Sequence, residues 1–293
     1  MTTRNKRKKY KKSGGTRKKT SKCSPAVKGN TINKNSCLKK SLLSNTIFEG
    51  NQSIRDVIDE CTNDDKCIIS KITDDNKRRE IENISFVPKQ PSEWKLNINE
   101  WLSDADILQV ISQYEDAYKE FIFMGPSYID FDHKLYANEC VENSLCNFSL
   151  QECIKNGHTK IGIIFNLDDH TKSGSHWVSL YIDVKGKYMF YFDSAANPIP
   201  KEVTILVERI KQQAKLLNMR FKLHTNGGFE HQYNNTECGM YSLFFIISLL
   251  TGSIGGDNSH LLQNETDKVN FFTKKRIPDN DMENLRIKYF INK

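Results

Sequence analysis

No stretch of this 293-residue chain approaches the roughly 18 uninterrupted apolar residues that a membrane-spanning helix requires, and its N-terminus lacks the apolar core of a secretory signal. Both absences predict a soluble protein made in the cytosol. No Cys-x-x-Cys pair occurs among the cysteines at 23, 37, 61, 67, 140, 146, 153 and 238, which disfavours structural zinc. With nothing pointing to an oxidising compartment, most thiols are expected to be free, buried small hydrophobes. A Cys140/Cys146/Cys153/His158 cluster is the best remaining metal candidate, and no cofactor is expected. Acidic residues are missing from positions 1–22, which carry eleven Lys/Arg. The formal charge of +7 therefore belongs to a tail, and the rest of the chain is net acidic.

What is present divides into three parts. Residues 1–22 form a like-charge block without apolar periodicity, too polar to offset its ordering entropy, and are expected to be a disordered basic tail. Such a tail suits a nuclear-localisation-like or nucleic-acid-binding arm, and equally a solubilising one. Residues 23–90 read as a mostly helical extension; Ser53 is a helix N-cap candidate, with Ile54, Val57 and Ile58 on one face. Two prolines at 88 and 91 end that region, and residues 91–293 read as one compact domain.

Within the domain, Ser103 is a helix N-cap ahead of Ile107, Val110 and Ile111. A strand is predicted over 121–123, a helix over 142–154 and a buried strand over 160–167. The runs 176–183 and 188–194, both β-rich and split by Val184-Lys185-Gly186-Lys187, predict a hairpin. An amphipathic helix follows over 202–217, with Val203, Leu206, Val207, Ile210 and Ala214 on its inner face. A strand over 219–224 and a last helix over 281–290 complete the pattern. Strands and helices interleave around an antiparallel hairpin, so the fold class is α+β.

The chemistry centres on residues 231–250, where a polar segment runs through Cys238-Gly239 into an apolar stretch fit for a buried helix. A thiol in the first helical turn meets free N–H groups and the positive end of the helix dipole, which favour the nucleophilic thiolate. A cysteine nucleophile needs a base, a group orienting the base, and donors for the developing oxyanion. His176 opens one hairpin strand and Asp193 closes the next, so antiparallel pairing puts the two at one sheet edge. Gln232, six residues before Cys238, can donate its side-chain amide to the oxyanion beside the Cys238 N–H. Gly239 permits close packing behind the nucleophile or fits a tight turn. Trp177 is either a wall over the imidazole or, more in keeping with a strand aromatic, core.

The order His176-Trp177, Asp193-Ser194, Gln232-x5-Cys238-Gly239 resembles the clan of SUMO-specific and adenovirus-type cysteine proteases. Within it the likeness is to the polyprotein-processing proteases of African swine fever virus and other large DNA viruses. Gly174-Ser175-His176-Trp177-Val178, Tyr191-Phe192-Asp193-Ser194-Ala195-Ala196-Asn197, Thr236-Glu237-Cys238-Gly239-Met240-Tyr241-Ser242-Leu243-Phe244 and Ile277-Pro278-Asp279-Asn280-Asp281-Met282 carry it, over about residues 94–290. The resemblance implies a central mixed sheet flanked by helices. It also implies Cys238 as nucleophile, His176 as base, Asp193 as orienting acid and Gln232 as oxyanion donor. Two departures stand out. SUMO proteases usually have Asp where this chain has Glu237, and the swine-fever-type enzyme has Asn where this chain has Asp193.

The implied activity is cleavage after Gly-Gly in viral structural polyproteins during virion maturation, through a thioester, in the virion and the host cytoplasm. Its partner is a protein substrate. Two rivals are an isopeptidase removing ubiquitin or SUMO, and a non-catalytic nucleic-acid-binding virion protein. Of the chain's own Gly14-Gly15, Gly227-Gly228 and Gly255-Gly256, only the first is expected to be accessible, with self-cleavage after Gly15.

Overall fold

The structure, a computed structural model, describes residues 22–291 apart from 28, 30, 98 and 257–259. Residues 1–21, with the basic tail and Gly14-Gly15, lie outside the described residues. A mixed six-stranded sheet organises the rest: β1 (Phe121–Phe123), β2 (Ser127–Tyr128), β3 (Lys160–Asn166), β4 (Trp177–Asp183), β5 (Tyr188–Phe192) and β6 (Lys222–Thr225). The strand order is β1-β3-β4-β5-β6, with β2 also beside β3. β3, β4 and β5 pair antiparallel, whereas β1 and β2 run parallel to β3, and β6 runs parallel to β5. The fold is α+β, as expected.

Both faces of the sheet are covered, and the period-two pattern of the strands shows how. Ile161, Ile163, Phe165, Val178, Leu180, Ile182, Met189 and Tyr191 pack with Val203, Leu206, Val207, Ile210 and Ala214. Those last five belong to α8 (Lys201–Leu216) and are the residues read from the sequence as its inner face. The alternate residues Phe121, Phe123, Ile164, Trp177, Tyr181, Phe190 and Phe192 pack against α9 (Cys238–Thr251). Every α9 residue from Cys238 to Leu250 is buried, which explains a stretch that is apolar all round. α5 (Asp104–Ala117), α10 (Glu265–Lys274) and α11 (Asp279–Tyr289) enclose α9 from the other side. A capping box starts α5: Ser103 and Asp106 each accept the other's backbone N–H.

The region predicted as one helix over 142–154 is two, α6 (Asn143–Cys146) and α7 (Leu150–Lys155). The side chain of Ser149 accepts from Glu152 N and starts the second helix afresh. The N-terminal region carries α1 (Lys40–Leu43), α2 (Ile54–Glu60), α3 (Asp65–Ser70) and α4 (Asp75–Ser85) around its own core, which includes Leu43, Val57, Ile68, Ile69 and Ile81. Ser53 caps α2 as predicted. Gln113 of α5 ties this region to the rest of the chain, its Nε2 donating to the carbonyls of Asn83 (3.1 Å) and Phe86 (2.7 Å).

The cysteines depart from expectation. Disulfides close Cys23–Cys37, Cys61–Cys67 and Cys140–Cys146, leaving Cys153 and Cys238 as the free thiols among the described residues. An argument from compartment says nothing about which thiols a fold brings together, and the last two bridges span only six residues each. The metal candidate dissolves with them, since Cys140 and Cys146 are bonded to each other. Among the described residues no three His, Cys, Asp or Glu side chains are arranged to hold a metal.

Candidate active site

Antiparallel pairing of β4 with β5 aligns Ser179 with Phe192, so the residues just before β4 and just after β5 emerge at one edge. Those residues are His176 and Asp193. His176 Nε2 meets Asp193 Oδ1 at 2.6 Å, the juxtaposition the hairpin pattern predicted. Asp193 is fully buried and ringed by donors. Ala195 N donates to Oδ1 (2.8 Å) and Asn197 Nδ2 to Oδ2 (3.0 Å). Asn226 clasps the backbone on both sides, accepting from Asp193 N (3.0 Å) and donating to Asp193 O (2.7 Å). A buried carboxylate held by this many donors has one available orientation, and it faces His176.

Cys238 arrives from the other side as the first residue of α9 and is buried. Its thiol acts on the His176 ring through both charge and hydrogen bonding. With Nε2 committed to Asp193, Nδ1 is the nitrogen left for sulfur. Burial alone would depress the His176 pKa, but the bonds and charges of Asp193 and Cys238 outweigh it and raise the value to about 10. A protonated imidazole beside sulfur is the setting in which a cysteine can act as nucleophile. Cys153, by contrast, sits in α7, where burial pushes its thiol pKa up and makes it unreactive.

The loop into α9 is fastened to the hairpin. The backbone N–H groups of His231 and Gln232 both donate to Ser194 O at 2.9 Å. Ser194 Oγ donates to Gln232 Oε1 (2.7 Å), and Gln232 Nε2 spends one N–H on Asn234 O (2.6 Å). The amide is thus held beside Asp193's neighbour, with its second N–H uncommitted by those bonds. His231 Nε2 donates to Phe272 O and its Nδ1 accepts from Ile277 N, so the ring is the neutral Nε2–H tautomer, consistent with a pKa lowered by burial. This histidine is a fastener between the loop, α10 and the segment before α11.

Behind Cys238 the packing is tight. A Cβ on Gly239 would stand 3.0 Å from Leu102 Cβ, so close approach, rather than a turn, explains this glycine. Trp177 lies in the core and donates Nε1 to Leu102 O at 3.1 Å. Glu237 forms a buried two-pronged pair with Arg286 of α11, at 3.0 and 3.1 Å. The guanidinium stacks 4.5 Å above the Trp94 ring.

Sequence reasoning missed Asn226, Asn197, Ser194 and Arg286 as supports of this site. Asn197 lies four residues beyond Asp193 in the same motif and could have been found. Asn226 and Arg286 reach their partners from 33 and 49 residues away, with no local pattern to mark them.

Residues 159–293 match the model of the Ulp1 protease family, C-terminal catalytic domain. That stretch is a little under half of the chain, and it makes this part similar to the Ulp1/SUMO-protease clan of cysteine proteases. The chain is similar to the SUMO-1 cysteine protease of African swine fever virus, at 28% identity over 199 residues, 64% of this chain and 67% of that one. It is also 30% identical over 164 residues, 55% of this chain, to a protein of Acanthamoeba polyphaga mimivirus that is a thiol protease by name. That second match spans about half (51%) of the relative's length. The crystal structure of the African swine fever virus protease shares the fold, with a TM-score of 0.64 and 22% identity over 94% of this chain and 97% of that one.

Proposed function

We propose that this chain is a thiol endopeptidase that hydrolyses the peptide bond after Gly-Gly in structural polyproteins of a large DNA virus, acting in the host cytoplasm and the virion. The observation that carries the chemistry is the meeting of Cys238, at the head of a buried helix, with a His176 ring bonded to Asp193 at 2.6 Å. Cys238 attacks the scissile carbonyl as thiolate. The backbone N–H of Cys238 and the second N–H of Gln232 receive the oxyanion. His176 protonates the departing amine to leave a thioester, then takes a proton from the water that hydrolyses it. Asp193 keeps the ring oriented throughout. Glycines beside the cut suit a narrow substrate cleft, where only bare backbone threads through.

A second reading keeps the chemistry and changes the substrate: release of a ubiquitin-like modifier from a lysine side chain. The family model and the name of the swine fever virus relatives support it. Incubation of the full chain with Gly-Gly-X peptides, capsid precursors and modifier-linked lysine reporters separates the two. The polyprotein reading predicts kcat/KM at least about tenfold higher on precursors than on the modifier reporters, a difference of about 1.4 kcal/mol in transition-state binding. The reverse ratio would establish the deconjugating enzyme.

Gly227 and Gly228 are exposed, contrary to the expectation that only Gly14-Gly15 is accessible. They occupy a closed turn, in which Phe229 N donates to Asn226 O at 2.8 Å and Asn226 Nδ2 donates to Phe229 O at 3.1 Å. A protease that threads extended backbone does not take such a turn.

The His176 environment fixes a pH profile. An imidazolium held to about pH 10 predicts a kcat/KM plateau through neutrality whose alkaline limb falls near that value, not near an ordinary histidine's 6.5. Any stability from this pair is complete below 6.5 and disappears as pH rises through about 10. Asp193→Ala removes one of the two groups holding the proton and should move the limb downward. A wild-type limb below pH 8 in a pH–rate measurement would contradict the assignment.

A further inference from the structure

We propose that Asn166 is a positioning residue for His176: its side-chain oxygen clamps the stem of the connection between β3 and β4 and so fixes the direction in which the imidazole leaves the chain. The inference deepens the proposed function and rests on the role assigned there to His176. Asn166 ends β3 and lies opposite Trp177, the first residue of β4. Its Oδ1 accepts two backbone N–H groups, from Asp168 (3.1 Å) on the outgoing limb and from Ser175 (3.2 Å) on the returning one. The residue is 5% exposed, so its side chain is largely shielded from water.

His176 is held on both sides as a result. Behind it, Ser175 N is bound to the Asn166 oxygen. Ahead of it, His176 O accepts from Leu167 N at 2.9 Å, one step beyond the register of the two strands. Little backbone freedom remains between those anchors, and the ring has to meet Asp193 at 2.6 Å on one nitrogen while serving Cys238 with the other. Gly174 answers to the same clamp. Its φ is +100°, and a Cβ there would collide with Asn166 Nδ2, so the chain passes over the amide only as glycine. The glycine of Gly174-Ser175-His176-Trp177 is thus set by a residue at the end of the preceding strand.

The far end of the connection has its own anchor. His170 N donates to Asp130 Oδ1 (3.0 Å), and the His170 ring meets Asp130 Oδ2 at 2.7 Å. Ile129 N donates to Asp168 O at 3.3 Å. Loss of the Asn166 oxygen therefore loosens the stem under His176 without releasing the loop, which separates positioning from folding. Ser175 Oγ also bonds across the stem, to Asp168 Oδ1 at 3.0 Å, but in an exposed position where water competes for the bond.

The test compares the full chain with its Asn166→Ala, Asn166→Asp and Gly174→Ala variants, each checked for folding by thermal melt. Two readouts are taken: kcat and KM on a Gly-Gly-X peptide, and the pH titration of the His176 ring by NMR without substrate, its signal assigned with His176→Ala. In Asn166→Ala, kcat should fall about 100-fold with KM changed less than about twofold, the signature of a misplaced reacting group. The His176 pKa should drop from about 10 toward an ordinary histidine's 6.5, as the ring loses its fixed contact with Asp193 and Cys238. Asn166→Asp keeps the accepting oxygen and should hold kcat within about fivefold of wild type. Gly174→Ala, which drives a methyl into the Asn166 amide, should lower kcat and the His176 pKa together, and it decides the matter if Asn166→Ala does not fold. The proposal is overturned if folded Asn166→Ala keeps both its kcat and its His176 pKa, if Asn166→Asp is as impaired as the alanine variant, or if the loss lies in KM. An inactive wild type would instead sink the protease reading, and the substrate-free titration would then decide the clamp alone.

Discussion

Cys238→Ala is expected to lower turnover of any cleaved substrate by about 10⁴–10⁶-fold while the protein stays folded. The loss is large because the cysteine, the histidine and the aspartate act as a unit. Without sulfur, no covalent intermediate forms and the raised His176 pKa has no partner to serve. Folding should survive, because alanine suits the first turn of a helix better than cysteine and the replaced side chain is small. Single-turnover cleavage assays with matched thermal melts check both halves. Undiminished cleavage by folded Cys238→Ala would remove the nucleophile from the proposal. His176→Ala should be nearly as severe.

Asp193 is a subtler case, because an asparagine can also orient imidazole. Here the carboxylate accepts from Ala195 N and Asn197 Nδ2 as well as from His176. An amide in that place would point its NH₂ at one of these donors. The surroundings are built for a carboxylate, which gives a physical sense to the departure from the asparagine of the swine-fever-type enzyme.

The candidate site residues were legible because each sits at a boundary that local rules mark. His176 and Asp193 flank a hairpin, and a hairpin's ends meet whatever surrounds it. Cys238 heads a run whose uniform hydrophobicity announces a buried helix. The supports were not legible for the opposite reason. Asn226, Arg286 and His231 act through contacts made only after distant segments assemble. The helix α10 escaped notice because its few apolar positions, Val269, Phe271 and Phe272, are spread among polar ones and its cap is a lone Asn264. The disulfides escaped because their pairing depends on loop geometry, which spacing alone does not fix.

Arg286 marks where stability and the nucleophile meet, and its loss should be the most costly change away from the chemistry. Its side chain is 1% exposed and ion-paired with an equally buried Glu237. Arg286→Met leaves a carboxylate stranded in the core, a change that typically costs about 3–5 kcal/mol and so should lower Tm on the order of 10 °C. Replacing both partners at once, as Arg286→Met/Glu237→Met, removes the stranded charge and should recover much of the loss, because a buried pair is only weakly favourable against apolar packing. The pH dependence gives a second signature. Burial raises the Glu237 pKa and Arg286 opposes the rise, so without the arginine burial acts unchecked. A carboxyl whose folded pKa lies above its unfolded value favours folding fully below about 4.5, and that advantage is lost as pH rises through the folded value. The Arg286→Met deficit should therefore be largest at neutral pH and shrink as pH approaches 5. Melts of the two singles and the double across that range decide it. A deficit independent of pH would assign the role of Arg286 to its packing on Trp94 rather than to its charge. Because Glu237 directly precedes Cys238, the same variants should lose activity in step with the seating of α9, and conditions that restore the fold should restore the nucleophile.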